Sequence, residues 1–499
     1  MRGAVAAGHP LTAQAGARVL EAGGNAVDAA IGAALVSWVA ESPLTGPGSG
    51  GFMLVHRAVD RSTRLFDFFV AMPGLGRPSA ELPEMEAIDV DFSGGSQQVF
   101  HIGPASVAVP GAAVGLETAH RAFGTLPWRE LFAPAIELAR RGVALTPAQA
   151  YLHDILDLIL RHTEESRAVY ERDGDRLGVG DVLVQDDLAG TLEVLADRGA
   201  DELYRGDLAE AILRHVEAGG GALSRRDLEE YRVVRRRPVT ADFRGHEFLS
   251  NPPPSAGGIL IAYGLRLLRR GGRPGSAEAI DALAWVMREQ AAARVADGFD
   301  GSLRRGGLLK VLEERAAVVT RGTTHISVVD GEGNAVALTA STGAGSGVVV
   351  PGTGIHLNNM IGEFELVKPL RPGTRLSSGM SPSIVLREGR PRLVVGSAGS
   401  LRLRGAVMQI VVNVIEHGFS VREAIERPRV HLEGQELHCE GGHDPAELDK
   451  LEAMGWGVAR WSQQNLYFGG AAAVEVQADG SLAAAGDPRR GGAGVVVAR

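Results

Sequence analysis

One stretch constrains this chain more than any other. It runs Gly322-Thr323-Thr324-His325-Ile326-Ser327-Val328-Val329-Asp330, then Gly331-Glu332-Gly333-Asn334, then Ala335-Val336-Ala337-Leu338-Thr339. The β-branched-rich runs 325–329 and 335–339 predict two strands, and Asp330 to Asn334 carry the turn chemistry of a short hairpin loop. The first strand opens with a threonine directly after a glycine. A threonine hydroxyl is a weak nucleophile alone, with no low-pKa state to exploit. A cut between Gly322 and Thr323 would place a free α-amine beside that hydroxyl. Such an amine has a pKa of about 7.7–8.0, suited to general-base work near neutrality. Gly322 can adopt backbone angles that let Oγ approach the preceding carbonyl. The pattern predicts a self-cleaving amidohydrolase with an N-terminal threonine nucleophile.

Composition narrows the alternatives. A length of 499 residues allows two or three average domains or one large α/β unit. Apolar residues at 45% with charged residues at 22% describe an ordinary soluble globular protein. The net charge of −9, with no basic run interleaved with aromatics, argues against a nucleic-acid partner. The lone Cys439 excludes an internal disulfide and a thiolate metal site, and its acidic, loop-like surroundings do not depress a thiol pKa. The histidines show no His-Glu-x-x-His spacing, so no metal and no cofactor are expected. The absence of a Gly-x-Ser-x-Gly elbow argues against a serine hydrolase. The first residues hold too short an apolar segment for a secretory signal, and the smooth apolar run Ala29 to Ala40 is about half a membrane span. A cytoplasmic enzyme with no membrane partner is expected.

Residues 10–57 read as two helices and a Gly-rich turn into a strand. Asn25 caps the second helix, with Asp28 completing a capping box. That helix is apolar nearly all round, so it should be buried, and Glu41-Ser42-Pro43 stops it. Gly46-Pro47-Gly48-Ser49-Gly50-Gly51 precedes a strand and lacks a following Lys-Ser/Thr, which favours a tight turn over a phosphate cradle. Residues 112–245 read mainly as helices, including Ala133 to Arg141 and Leu208 to Ala218, each ended by glycine. Residues 246–258 read as a Pro/Gly-rich connector, followed by helical stretches 259–269 and 277–297. Short β-runs fill 323–400, 405–427 is helical, and short strands close the chain. Strand-rich blocks flanked by helical ones suggest an α+β architecture of stacked sheets between helix layers.

Six short stretches, in order, carry a resemblance. They are Ala22-Gly23-Gly24-Asn25-Ala26-Val27-Asp28-Ala29-Ala30, Ser106-Val107-Ala108-Val109-Pro110-Gly111, Pro252-Pro253-Pro254-Ser255-Ala256-Gly257-Gly258, Thr323-Thr324-His325, Leu357-Asn358-Asn359 and Leu376-Ser377-Ser378-Gly379-Met380-Ser381-Pro382. Asp487-Pro488-Arg489-Arg490 adds to them. Over nearly its whole length the chain resembles the γ-glutamyltransferase family of N-terminal-nucleophile hydrolases. The resemblance implies a four-layer αββα sandwich and self-cleavage at Gly322–Thr323. A large subunit, 1–322, and a small subunit, 323–499, would stay associated as one integrated domain. Chemistry would pass through a threonyl acyl-enzyme, with water or an amine as acceptor. Thr323 would be both processing residue and nucleophile. Ser341 stands where the family has a threonine that hydrogen-bonds the nucleophile. Gly399 and Ser400 replace the paired glycines of the oxyanion hole, and Ser377 and Ser378 match serines that hold the substrate carboxylate.

The departures lie in the specificity pocket. Phe69, in Asp67-Phe68-Phe69-Val70, replaces the arginine that binds the glutamyl α-carboxylate, and a neutral ring cannot form that bidentate pair. Gly343 replaces an asparagine, Met360 a glutamine and Glu363 an aspartate of the α-amino clamp. Arg375 and Arg402 are the candidates to compensate. The short interval from Glu363 to Ser377 leaves little room for a lid, which favours hydrolysis over transfer. Three readings follow. One is a γ-glutamyl hydrolase/transferase acting on glutathione-like amides. Another is an amidase of altered acyl specificity, resembling cephalosporin or glutaryl acylases. The third is an unprocessed, non-catalytic binding protein of the same fold. His325 reads as structural.

Overall fold

The computed structural model describes residues 2–77, 84–92, 96–269, 272–295, 323–363, 371–399 and 402–498. The expected hairpin is its centre. Strands Thr324–Asp330 and Ala335–Ser341 pair antiparallel, with Asp330 accepting the backbone N–H groups of Glu332 and Asn334 to close the loop. Around them lies a seven-stranded antiparallel sheet in the order Val234–Arg236, Thr63–Phe68, Gly50–His56, Ala335–Ser341, Thr324–Asp330, Gly3–Ala7, Ala493–Val497. A six-stranded antiparallel sheet has the order Val239–Phe243, His246–Ser250, Ser383–Arg387, Arg390–Ala398, Gly470–Val476, Leu482–Gly486.

Alternation along the strands builds the layers, because successive side chains point to opposite faces. In the first sheet Val5, Val55, Ile326, Val328 and Leu338 face a helix layer that includes Pro10–Glu21 and Ala26–Ala40. Their neighbours Ala4, Ala6, Leu54, Ala335 and Ala337 face the second sheet, meeting Ile384, Val394, Ala472 and Val474. On that sheet's far side Leu393, Val395, Ala471 and Ala473 pack under Gly257–Leu267, Ala277–Val295 and Leu403–Ile415. The result is helix, sheet, sheet, helix, the α+β four-layer αββα sandwich expected. Helix Ala26–Ala40 is buried at every position, and the Asn25–Asp28 capping box forms as read.

Two segments depart from the sequence reading. Val234–Arg236 and Val239–Phe243 are strands within the block read as helical, and His246–Ser250 is a strand within the block read as a connector. The first is only three residues long at a sheet edge, so its arginines can face water. In the second, buried Ala241 and Phe243 alternate with exposed Thr240 and Asp242, a half-buried pattern masked by the adjacent basic run. Cys439 ends a strand, Glu436–Cys439, instead of lying in a loop.

Candidate active site

Sheet register assembles the site. The pairing of Thr324 with Ala340 carries Thr323 to the place opposite Ser341, and Ser341 pairs with Gly50 of the next strand. Gly50 lies against the Phe69–Val70 backbone, and Leu376 N donates to Val70 O at 3.1 Å. One row therefore joins Thr323, Ser341, Phe69 and the turn that begins at Ser377. Sequence separations of up to 300 residues vanish in four backbone steps.

Thr323 is fully buried, and its Oγ has no hydrogen-bond partner among the described residues. The expected bond from Ser341 to the nucleophile is therefore not made; Ser341 Oγ instead accepts Gly343 N at 2.9 Å. Two residues the sequence reading gave no role hold the strand head. Thr324 Oγ1 donates to Glu41 Oε2 at 2.7 Å, and Arg490 Nη1 donates to Thr323 O at 3.2 Å. Burial pushes the Glu41 carboxyl up, opposed by the hydroxyls of Thr324 and Thr12 and by Arg490. Burial also pulls Arg490 down to about 10, opposed by Glu41 and Asp487. The Asp487-Pro488-Arg489-Arg490 stretch was the available signal for Arg490, while Glu41 looked only like a helix stop. His325 is structural: its ring nitrogens meet Thr339 Oγ1 at 2.7 Å and Ser327 Oγ at 2.9 Å, and burial lowers it to about 3.

The opposite wall is built on Gly399. Its φ is +125°, and a Cβ there would come within 2.7 Å of Gly469 Cα, so only glycine fits. Arg429 fixes that backing by donating to Phe468 O at 3.1 Å and Gly469 O at 3.0 Å. Asp487 then ties the two walls together. Its Oδ2 accepts Arg429 Nη2 at 2.6 Å, and its Oδ1 caps the turn Pro488–Arg490 by accepting Arg489 N at 3.1 Å. Arg489, fully buried, pairs in turn with Glu440. Gly322 and Ser400 lie outside the described residues, as does most of the interval between Glu363 and Ser377.

The expected substrate contacts divide. Ser377 Oγ has no hydrogen-bond partner among the described residues. Ser378 Oγ is used within its own turn, accepting Met380 N at 3.1 Å. The Ser378 carbonyl accepts Ser255 Oγ at 2.8 Å and Ala256 N at 3.0 Å, which gives the Pro252–Gly258 stretch its task of anchoring that turn. Gly343 has φ +76°, and a Cβ there would lie 2.1 Å from Asn359 Oδ1 and 2.7 Å from Glu363 Oε1. The space of the missing asparagine is thus already filled. Phe69 and Met360 are fully buried in the inter-sheet core, and Phe69 stacks on Phe52 with ring centroids 5.4 Å apart.

Neither candidate arginine stands in for the one lost at Phe69. Arg375 is committed to Asp67 at 3.4 Å, to the Phe69 and Arg232 carbonyls and to the Tyr231 hydroxyl. Arg402 lies with its guanidinium carbon 4.1 Å from the Tyr467 ring centre and its Nη1 4.0 Å from Glu433 Oε2. Cys439 is buried, and its thiol is pushed up to about 12, so it is no nucleophile.

Comparison with known proteins agrees with this geometry. Residues 12–497 match the model of the family described as gamma-glutamyltranspeptidase. The chain is 33% identical to the glutathione hydrolase proenzyme of Escherichia coli (strain K12), covering 98% of this chain and 90% of that relative. It is also 33% identical to the Acylase ACY 1 proenzyme of Pseudomonas sp. (strain SE83), covering 99% and 94%. Among solved structures, cephalosporin acylase from Bacillus halodurans superimposes with a TM-score of 0.87 at 25% identity, covering 99% of this chain and 95% of that one. A threonine-headed hairpin at the heart of an αββα sandwich, with residues 12–497 matched to the family model, establishes that the chain belongs to the γ-glutamyltranspeptidase family of N-terminal-nucleophile hydrolases.

Proposed function

We propose that the chain cuts itself before Thr323 and then hydrolyses amides whose acyl group lacks the α-amino-acid head of glutamate. The buried, unpartnered Oγ of Thr323 at the head of a central strand carries the first part. After cleavage the new α-amine would take the proton as Oγ attacks the amide carbonyl, and the oxyanion would meet backbone N–H groups of the Gly399–Ser400 turn. Such donors typically supply about 3–4 kcal/mol of transition-state stabilisation. The amine of the substrate leaves, and water attacks the threonyl ester; an amine acceptor in its place would give transfer. Both products of the cut would hold together, because strands from 1–322 and 323–499 share both main sheets.

The acyl preference rests on Phe69 and Arg375. A stacked, buried ring stands in the place of the carboxylate-binding arginine, and both terminal nitrogens of the nearby Arg375 are engaged by protein partners. Loss of one charge-assisted bond costs roughly 1.5–3 kcal/mol, one to two orders of magnitude in affinity. Equal identity to a glutathione hydrolase and to an acylase leaves both substrate classes open to test. Denaturing electrophoresis with N-terminal sequencing should give a fragment beginning Thr-Thr-His-Ile. Purified enzyme should turn over glutaryl-p-nitroanilide faster than γ-glutamyl-p-nitroanilide; the reverse order would restore the glutamyl reading. Thr323→Ala should remain one uncut chain without turnover, and activity in that variant would remove Thr323 from the mechanism.

A further inference from the structure

Resting on that reading, we infer that Glu41 sets the protonation midpoint of the α-amine that Thr323 gains on self-cleavage, with Arg490 as its counterweight. A general base works best when its pKa lies near the working pH, and an N-terminal amine has no second residue to assist it. Its intrinsic midpoint of about 7.7–8.0 is then moved up or down by fixed charges nearby. Among the described residues, two ionisable side chains of opposite sign hydrogen-bond Thr323 and Thr324. Glu41 accepts the Thr324 hydroxyl at 2.7 Å, and Arg490 reaches the Thr323 carbonyl at 3.2 Å.

Glu41 is held for this position. It forms the C-cap of helix Ala26–Ala40, with its backbone N–H on Ser37 O, and is 5% exposed. Thr12 Oγ1, from helix Pro10–Glu21, donates to its second oxygen at 2.8 Å. Gly8 makes the room: a Cβ there would lie 2.6 Å from Glu41 Oε2. Two neighbours at this corner, His9 and Tyr170, are neutral near pH 7. His9, capping helix Pro10–Glu21 through its Nδ1, is lowered to about 4 by burial. Tyr170, whose hydroxyl meets Ser42 Oγ, is raised to about 12. Arg490 itself faces Asp487 and Arg402 on its other side. Among the described residues the carboxylate at this corner is Glu41: burial raises it, and two hydroxyl bonds plus Arg490 hold that rise in check.

The sign follows directly. A carboxylate near an amine stabilises the ammonium form and raises its pKa; removing the carboxylate lowers it. Glu41 holds the side chain of the residue next to the amine, and a charge within about 10 Å at an effective dielectric of about 20 shifts a pKa by about one unit.

The test is the acidic limb of the pH profile of kcat/KM, which reports the free enzyme's base, on material confirmed as cut by N-terminal sequencing. Glu41→Gln should move that limb down by about one unit, while Glu41→Asp, which keeps the charge, should leave it near wild type even if kcat falls. Thr12→Val removes one stabilising hydroxyl from Glu41 and should move the limb the same way by less. A limb unmoved in Glu41→Gln, or moved equally in Glu41→Asp, overturns the assignment and indicates packing alone. Should Glu41→Gln remain uncut, Thr12→Val decides, and an unshifted limb there also overturns it. Activity surviving in Thr323→Ala would instead sink the underlying mechanism, whatever the limb does.

Discussion

Lowering the pH from 7 to 5 should weaken this fold through its buried histidines, and His325 allows the effect to be read one residue at a time. Its ring lies on strand Thr324–Asp330, wedged against Gly396, where a Cβ would sit 2.3 Å from the ring. Burial holds its midpoint near 3, against about 6.5 for an exposed imidazole. The unfolded chain takes up a proton as pH falls through about 6.5, whereas the folded chain does not until about 3. Stability from this group is complete above the unfolded midpoint and is lost progressively as pH falls toward the folded one. Between pH 7 and pH 5 the loss is about 2 kcal/mol for a single such histidine. His9, His153 and His356, each lowered to about 4, should behave alike, so the wild type should lose stability steeply with acid. His325→Gln keeps an amide for the hydroxyls of Thr339 or Ser327 but cannot titrate. It should be less stable than wild type at pH 7, where packing and a hydrogen bond are lost. The gap between the two should then shrink by about 2 kcal/mol at pH 5. Urea denaturation followed by tryptophan fluorescence at both pH values measures it. A gap of constant size would mean that His325 exchanges its proton in the folded state, refuting its buried, neutral assignment.

Two further outcomes follow from the site walls. Gly399→Ala meets both a φ of +125° and a 2.7 Å contact with Gly469, so the turn must shift; kcat should fall about 10²–10³-fold with KM little changed, measured on the best anilide. Asp487→Ala strands buried Arg429 and loosens the turn that delivers Arg490, so it should cost about 3–5 kcal/mol in denaturation and lower activity as well.

Much of the fold was legible in local pattern. The helix caps at Asn25 and Gly142, the all-apolar helix after Asn25 and the hairpin around Asp330 are properties of a few adjacent residues. The β-branched-rich runs 325–329 and 335–339 read as strands, and strand-rich blocks flanked by helical ones read as stacked sheets between helix layers. The family resemblance was legible for the same local reason, carried by short motifs such as Thr323-Thr324-His325. Edge strands such as Val234–Arg236 were hidden, since a short strand with one wet side carries little pattern.

What tertiary structure alone decided is which distant groups share a charge field or a hydrogen bond. Glu41 ends a helix some 280 residues before the threonine it touches, and nothing in its neighbours distinguishes it from any surface helix stop. Arg375, a plausible carboxylate binder by position, turned out to be spent on Asp67, Tyr231 and two carbonyls. The physical reason is one of range. Propensity and patterning act within a turn or a strand, whereas burial, electrostatics and donor–acceptor matching depend on separations through space that only sheet register sets.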